Sequence, residues 1–301
     1  MSIPPLACLA LTVVLWGSTY RATTIGTEAA SGVVFSAVRV LPVAVVFLLL
    51  FGTGLRRLRP ATVVSVGLTG WLMVAGFLVA LSEGVDRAGA ANASVLLNTA
   101  PLFVAGLAPF LLAEAVSPRR LLGVAAGFCG VALIFWSELG LEHGGRGVGL
   151  AIALGGGIVW AAGTLLVKAL TRRDRNLDAR SIVTAQYVAG APLVLFAAAV
   201  VPGRSTEWDD GRLWLMAGFV AVAAAAGTWS FFAALEALPA TRVATAQFAV
   251  PAVAVAIEFV AGSPPEFVQA LGIVLVVASI ASVVLVQDRP PELPPAAEAR
   301  A

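Results

Sequence analysis

Apolar residues recur along the chain in runs of about twenty, the length of helix needed to cross the hydrocarbon core of a bilayer. The runs fall at residues 4–25, 32–53, 62–82, 88–112, 118–137, 147–169, 181–201, 212–235, 240–261 and 265–286, and they predict ten transmembrane helices. The separators are short and hold the breakers and charges: Gly52 to Pro60, Glu138 to Arg146, Thr171 to Asn176 and Pro202 to Arg212. The first run has no basic segment before it and no small-residue cleavage pattern after it, so it reads as a retained span. Residues 287–301, rich in Pro, Glu and Ala, cannot build a packed core and are expected to form a disordered tail.

Composition sharpens this reading. Hydrophobic residues make up 59% of the chain and charged ones 12%, and the mean hydropathy is +0.95. Soluble domains carry about 25% charged residues, so lipid is the expected surrounding. A net charge of +2 gives no reason to expect a nucleic-acid partner. Cys8 and Cys129 lie far apart inside apolar runs and suit plain packing.

Basic residues then orient the spans. With the N-terminus inside, 13 Lys/Arg residues, including Arg56, Arg57, Arg59, Arg172, Arg173 and Arg175, fall in inner segments. Five fall outside, at Arg21, Arg87, Arg146, Arg204 and Arg212, and Arg39 sits within the second span. Both termini are therefore expected to be cytoplasmic.

The chain also repeats itself. A shift of 150 residues places Asp86 on Glu236, Pro101 on Pro251 and Pro42 on Pro192, and a shift of 144 places Trp16 on Trp160. An odd number of helices per copy forces the copies into the membrane in opposite senses. The expected fold is all-α and integral to the membrane, with ten transmembrane helices as two inverted five-helix repeats. The boundaries are residues 1–142 for the first repeat, 147–286 for the second and 287–301 for the tail. Such repeats, interrupted by Pro and Gly at matching places, point to a secondary transporter with its site near the midplane.

The residues resemble the EamA-type drug/metabolite transporters. The likeness lies at Leu15-Trp-Gly-Ser18, Ala37-Val-Arg39, Asn92 to Phe103, Ala113-Glu114 and Ser117 to Gly123. The second half resembles the family at Val159-Trp160, Phe232 to Ala240 and Pro251 to Gly272. The resemblance implies a carrier of the plasma (bacterial inner) membrane, with both termini inside. It would alternate access around a central cavity and export amino acids, other metabolites or toxic compounds. Glu114 has no counterpart across the repeat: Pro264 stands there, with Glu266 displaced by two. No role for Glu114 is carried across on that basis.

Ionisable side chains at membrane depth are costly and so face protein or water. Glu258 lies mid-span in the ninth predicted helix, on a narrow face with Gln247, Pro251, Ala254 and Gly262. A partly desolvated carboxylate there can bind and release a proton, and a structural partner for Arg39 is the competing role. Arg39, on a face with Ser36, can hold a substrate carboxylate bidentately or pin its helix to neighbouring carbonyls. Trp16 and Trp160 are candidate walls of the pathway, with interfacial anchoring as the alternative. Asn98 and Gln186, each beside a proline, can satisfy freed carbonyls or touch ligand. Asp86 and Glu236 suit exposed loops or helix N-termini.

The candidate substrate-binding residues are thus Trp16, Arg39, Asn98, Trp160, Gln186 and Gln247, with Glu258 for proton coupling. The expected function is secondary export of small metabolites, amino acids or related zwitterions. A proton-coupled exporter of lipophilic cations is the alternative. An enzyme is not expected: the single histidine, His143, lies in a loop, and neither H-E-x-x-H nor G-x-S-x-G occurs. No phosphate-binding loop occurs either, so ATP is not an expected partner, and no cofactor or metal is implied. The expected partners are the lipid bilayer, a small-molecule substrate and protons.

Overall fold

Helices in this chain begin where the sequence supplies a proline or a capping side chain. Pro5 opens α1 (Pro5–Ala29), and Ser31 accepts from the Val34 amide to cap α2 (Gly32–Leu55). Pro60 opens α3 (Pro60–Gly70), which runs through a π-helical turn (Trp71–Gly76) into α4 (Phe77–Ala88). After α5 (Ala100–Leu112), α6 (Pro118–Ile134) and α7 (Arg146–Arg173), Asp178 caps α8 (Ala179–Val200) and Asp210 caps α9 (Gly211–Ala237). The chain continues as α10 (Ala240–Ala246), α11 (Ala249–Val260) and α12 (Phe267–Ile280), the last extended by a π turn (Ala281–Leu285). This computed structural model describes residues 4–88, 95–114, 116–134, 136, 146–203, 205–260 and 266–285. The side chains of Asp86 and Glu258, and the expected tail, lie outside the described residues.

The described residues of each predicted apolar run fall on a helix or on joined helices. Among the described residues seven are long and apolar enough to cross a membrane, from Gly32–Leu55 to Ala240–Ile257, and Phe267–Val283 is a shorter apolar helix. Leu49, Phe110, Leu122, Val222, Val260 and Phe267 are exposed on the outside of the bundle. A surface of that kind is stable in lipid rather than water.

Two runs predicted as single helices are interrupted. The run at 88–112 turns at Asn98-Thr99. The run at 240–261 turns at Gln247-Phe248, between α10 and α11. At both turns the bonds tighten to i−3: Thr99 N–H donates to Leu96 C=O, and Phe248 N–H donates to Thr245 C=O, each at 3.1 Å. A proline follows each turn within three residues, Pro101 and Pro251, whose missing N–H permits the irregularity.

Helix pairing brings distant parts of the sequence together. α1 lies along α9 and α11, α4 along α7, α5 along α7, α2 along α8, and α6 along α12. The α6–α12 seam is closed by glycine: a Cβ on Gly130 would sit 2.7 Å from the Gly272 carbonyl oxygen, and one on Gly272 would sit 2.6 Å from that of Gly130. Backbones approach that closely only where neither residue has a side chain, and in lipid such dispersion contacts are a principal source of helix association.

Candidate functional site

A cavity of about 700 Å³ lies between α1, α2, the π turn, α4, α7, α8 and α9. It reaches from Arg39 and Gln186 to Ser31, Pro202 and Gly203, loop residues at one end of the bundle. Trp16, Arg39, Asn98, Trp160, Gln186 and Gln247 all line it. The interrupted helices explain two of these: Asn98 and Gln247 sit at the two turns, so each break turns a polar side chain toward the same space.

Polar atoms here are left without partners. Among the described residues, Arg39 Nε, Trp160 Nε1, Gln186 Oε1 and Gln247 Nε2 are buried and make no hydrogen bond. Gln186 is held from its other amide atom, with Nε2 donating to Thr69 Oγ1 at 2.7 Å. It therefore anchors on a hydroxyl of α3 rather than on a carbonyl freed by Pro192. Beside Arg39 stands Tyr187, hydrogen-bonded to Thr228 and packed edge-on against Phe47 at 5.5 Å.

The tryptophans do not form opposite walls. Trp16 and Trp160 meet edge-to-face at 5.5 Å, and both contact Phe231, at 5.5 and 5.6 Å. Phe77 joins the cluster 4.7 Å from Trp160. Trp160 is only 7% exposed, so the interfacial-anchor role does not apply to it. Trp16 fits because Gly227 on α9 leaves room: a Cβ there would lie 2.6 Å from the indole. Aromatic pairs of this geometry add about 0.5–1.5 kcal/mol each beyond the area they bury. The result is one aromatic wall rather than two.

Several cavity residues were not singled out from the sequence. Thr19, Thr23 and Thr27 recur every four residues on α1 and line the cavity as a hydroxyl stripe, a spacing that was readable. Tyr187 lines it too, and Glu83 is the one carboxylate among the described lining residues, tied to Arg87 at 2.9 Å. Of the face drawn through Gln247, Pro251 is buried and Ala254 half-buried, while the Glu258 side chain and Gly262 lie outside the described residues.

The opposite end of the bundle is closed by charge. Helix α5 ends at Leu112, and Ala113 after it has a φ of 50°, the one positive value of a non-glycine among the described residues. That left-handed turn sends Glu114, 8% exposed, toward α7. Its Oε1 accepts from Arg172 Nη2 at 2.8 Å and from the Ala240 amide, the first of α10, at 3.2 Å. Arg172 Nη1 also donates to the Leu112 carbonyl. One turn earlier, Lys168, 6% exposed, donates to the carbonyls of Leu235, Glu236 at 3.3 Å and Leu238 at 2.8 Å, capping α9. Four helix ends are thereby tied together, and none of Glu114, Lys168 and Arg172 lines the cavity. Glu236 is exposed near the end of α9 and accepts from the Ala179 amide at the start of α8, a helix N-terminus as expected. Glu266 caps its own helix in a capping box with Gln269, so it does not share the part Glu114 plays.

The sequence model of the EamA-like transporter family matches twice, at residues 4–136 and 147–285. The uncharacterized inner membrane transporter YedA of Escherichia coli K12 is 27% identical over 227 residues, covering 73% of this chain and 68% of that one. The uncharacterized transporter YoaV of Bacillus subtilis is 25% identical over 247 residues, covering 80% and 82%. The uncharacterized transporter sll0355 of Synechocystis is 27% identical over 202 residues, and the match spans only 58% of its length. A solved crystal structure, 20% identical, superposes with a TM-score of 0.77 over 93% of this chain and 96% of that one, a likeness of fold.

Proposed function

The chain belongs to the EamA-like transporter family, a family of multi-pass membrane transporters rather than enzymes, and from that premise we propose that it is a secondary active exporter of small metabolites. In this reading it carries amino acids or related zwitterions by alternating access, with the proton gradient as energy source. The observation that carries the reading is the set of four unpartnered buried polar atoms around one cavity, with the Arg39 guanidinium as its deep charge. A buried polar atom left unsatisfied costs about 1–3 kcal/mol, and a ligand with a carboxylate and a donor group offsets that cost. Arg39 can hold the carboxylate, while Gln186 Oε1 can accept from an ammonium.

Several features support the inverted architecture. The family model matches the chain twice, and the helix pairs respect an exchange of halves: α1 with α9 mirrors α7 with α4, and α1 with α11 mirrors α7 with α5. Asn98 and Gln247 occupy corresponding breaks. With both termini cytoplasmic, as the distribution of basic residues indicates, the cavity opens away from the cytoplasm and the Glu114–Arg172–Lys168 end is the cytoplasmic seal. The plasma, or bacterial inner, membrane is the proposed location. Glu258 remains the proposed proton site by its place on α11.

Export of lipophilic cations fits less well, since the deep charge of the cavity is positive and Glu83 is already paired. The deciding experiment is flux in proteoliposomes under an imposed pH gradient, with amino acids and lipophilic cations offered to the intact chain, Arg39→Ala and Glu258→Gln. Amino-acid flux that needs the pH gradient, falls in Arg39→Ala and uncouples in Glu258→Gln is the expected result. Movement of cations alone would overturn the metabolite reading.

A further inference from the structure

A second cleft, of about 520 Å³, lies at the sealed end between the α2–α3 and α7–α8 connections, apart from the transport cavity. It is lined by four arginines, Arg57 and Arg59 from the first connection and Arg173 and Arg175 from the second. All four are exposed, and none makes a side-chain hydrogen bond or ion pair among the described residues. The one carboxylate in the cleft, Asp174, is otherwise occupied. It accepts from Thr62 Oγ1 at 3.1 Å and from the Asn176 amide at 3.0 Å, which ties the two connections together. Asp174 thus shapes the cleft and offsets only one of its four positive charges.

Depth in the membrane decides what such a cleft meets. Spans Gly32–Leu55, Pro60–Leu81, Gly147–Arg173 and Ala179–Val200 all begin or end at these two connections. The cleft therefore lies at the level of lipid head groups, where phosphate is the abundant anion. Arginine presents a planar fork that matches phosphate geometry, and the Ser65 hydroxyl, also in the lining, adds a further donor. Placing basic residues beside a span sets orientation in general, but orientation does not require arginines from two separate connections to converge on one cleft. Basic pockets between helices are the sites where anionic head groups are held.

We propose that this cleft binds the head-group phosphate of an anionic phospholipid. Bound lipid would bridge the α2–α3 and α7–α8 connections and steady the sealed end. The test uses the full chain in a neutral detergent, titrated with phosphatidylglycerol, phosphatidylcholine or inorganic phosphate, with thermal unfolding and native mass spectrometry as readouts. Saturable stabilisation by phosphatidylglycerol alone is expected, with its midpoint weakened at least fivefold in the double variant Arg59→Gln, Arg173→Gln. The charge-keeping double variant Arg59→Lys, Arg173→Lys should weaken it by less, because only the fork is lost, and it serves if the glutamine variant does not fold. Equal binding of phosphatidylcholine overturns the proposal. So does binding that both double variants leave unchanged, and inorganic phosphate matching the lipid would overturn the lipid assignment.

Discussion

The two ends of the bundle use polar groups in opposite ways. Around the cavity, Arg39, Trp160, Gln186 and Gln247 each keep a buried atom without a partner, while at the sealed end Lys168 alone donates to three carbonyls and Glu114 joins three helices. Glu114 Oε2 and Thr241 Oγ1 are exceptions there. Unsatisfied groups cost stability and satisfied ones cost rigidity to rearrange. The contrast suits a protein caught with one end ready for ligand and the other locked. In an alternating cycle the two ends must exchange these conditions, so the seal has to be breakable by about the free energy that ligand binding can supply.

The largest expected effect breaks the cavity side. Arg39→Ala should weaken apparent affinity for a carboxylate substrate about 100-fold, the equivalent of a lost charge-assisted contact of about 2–3 kcal/mol. Substrate-protected thermal stability would check this, and unchanged affinity would remove Arg39 from the binding set. Next comes Lys168→Met, which strips the cation from three carbonyls at the end of α9. A loss of about 2 kcal/mol is expected, read as earlier thermal unfolding, and a neutral result would mean the cap is replaced by water.

Glu114→Gln sharpens the comparison more gently, because Arg172 is partly solvated: its side chain is 44% exposed. A weakening of about 1 kcal/mol should shift the balance of the two access states roughly fivefold. Labelling of a Thr23→Cys reporter from either side of the membrane would detect it, in a background without Cys8 and Cys129. Ala113→Gly acts in the other direction: it relieves a left-handed backbone and should stabilise the seal by up to about 1 kcal/mol. Slower closure of the cavity would be its signature.

The smallest effect lies outside both sites. The Asp210 side chain is 16% exposed, and its hydrogen bond from the Arg212 side chain, then that from the Arg212 amide, holds its pKa below the usual carboxylate value. With the folded pKa depressed, the stabilisation is present above the unfolded pKa of about 3.9 and is lost as pH falls through the folded value. Asp210→Asn should flatten stability in that acid window and leave flux at neutral pH untouched.

These two ends were not equally legible in the sequence. The cavity was, because burying Arg39, Asn98, Gln186 and Gln247 in lipid-length runs is so costly that each residue marks itself. The seal was not: Glu114 and Arg172 stand 58 residues apart at the ends of runs, where loop charges are ordinary. Ala113 in a left-handed turn leaves no mark in the sequence, since alanine is a helix former. The π turn at Trp71–Gly76 also passed unseen, as it alters hydrogen bonding without altering hydropathy. Contact between Trp16 and Trp160 depended on α1 and α7 converging, which no spacing along the chain encodes.

The glycine seam between α6 and α12 carries a consequence for the order of manufacture. Gly130 and Gly272 are separated by 272 − 130 = 142 residues, so at about 5–20 residues per second the ribosome reaches the second roughly 7–30 s after the first. Through that interval α6 must wait in the bilayer with a bare strip of backbone toward lipid. A membrane insertase that holds α6 during the wait would shorten its exposure.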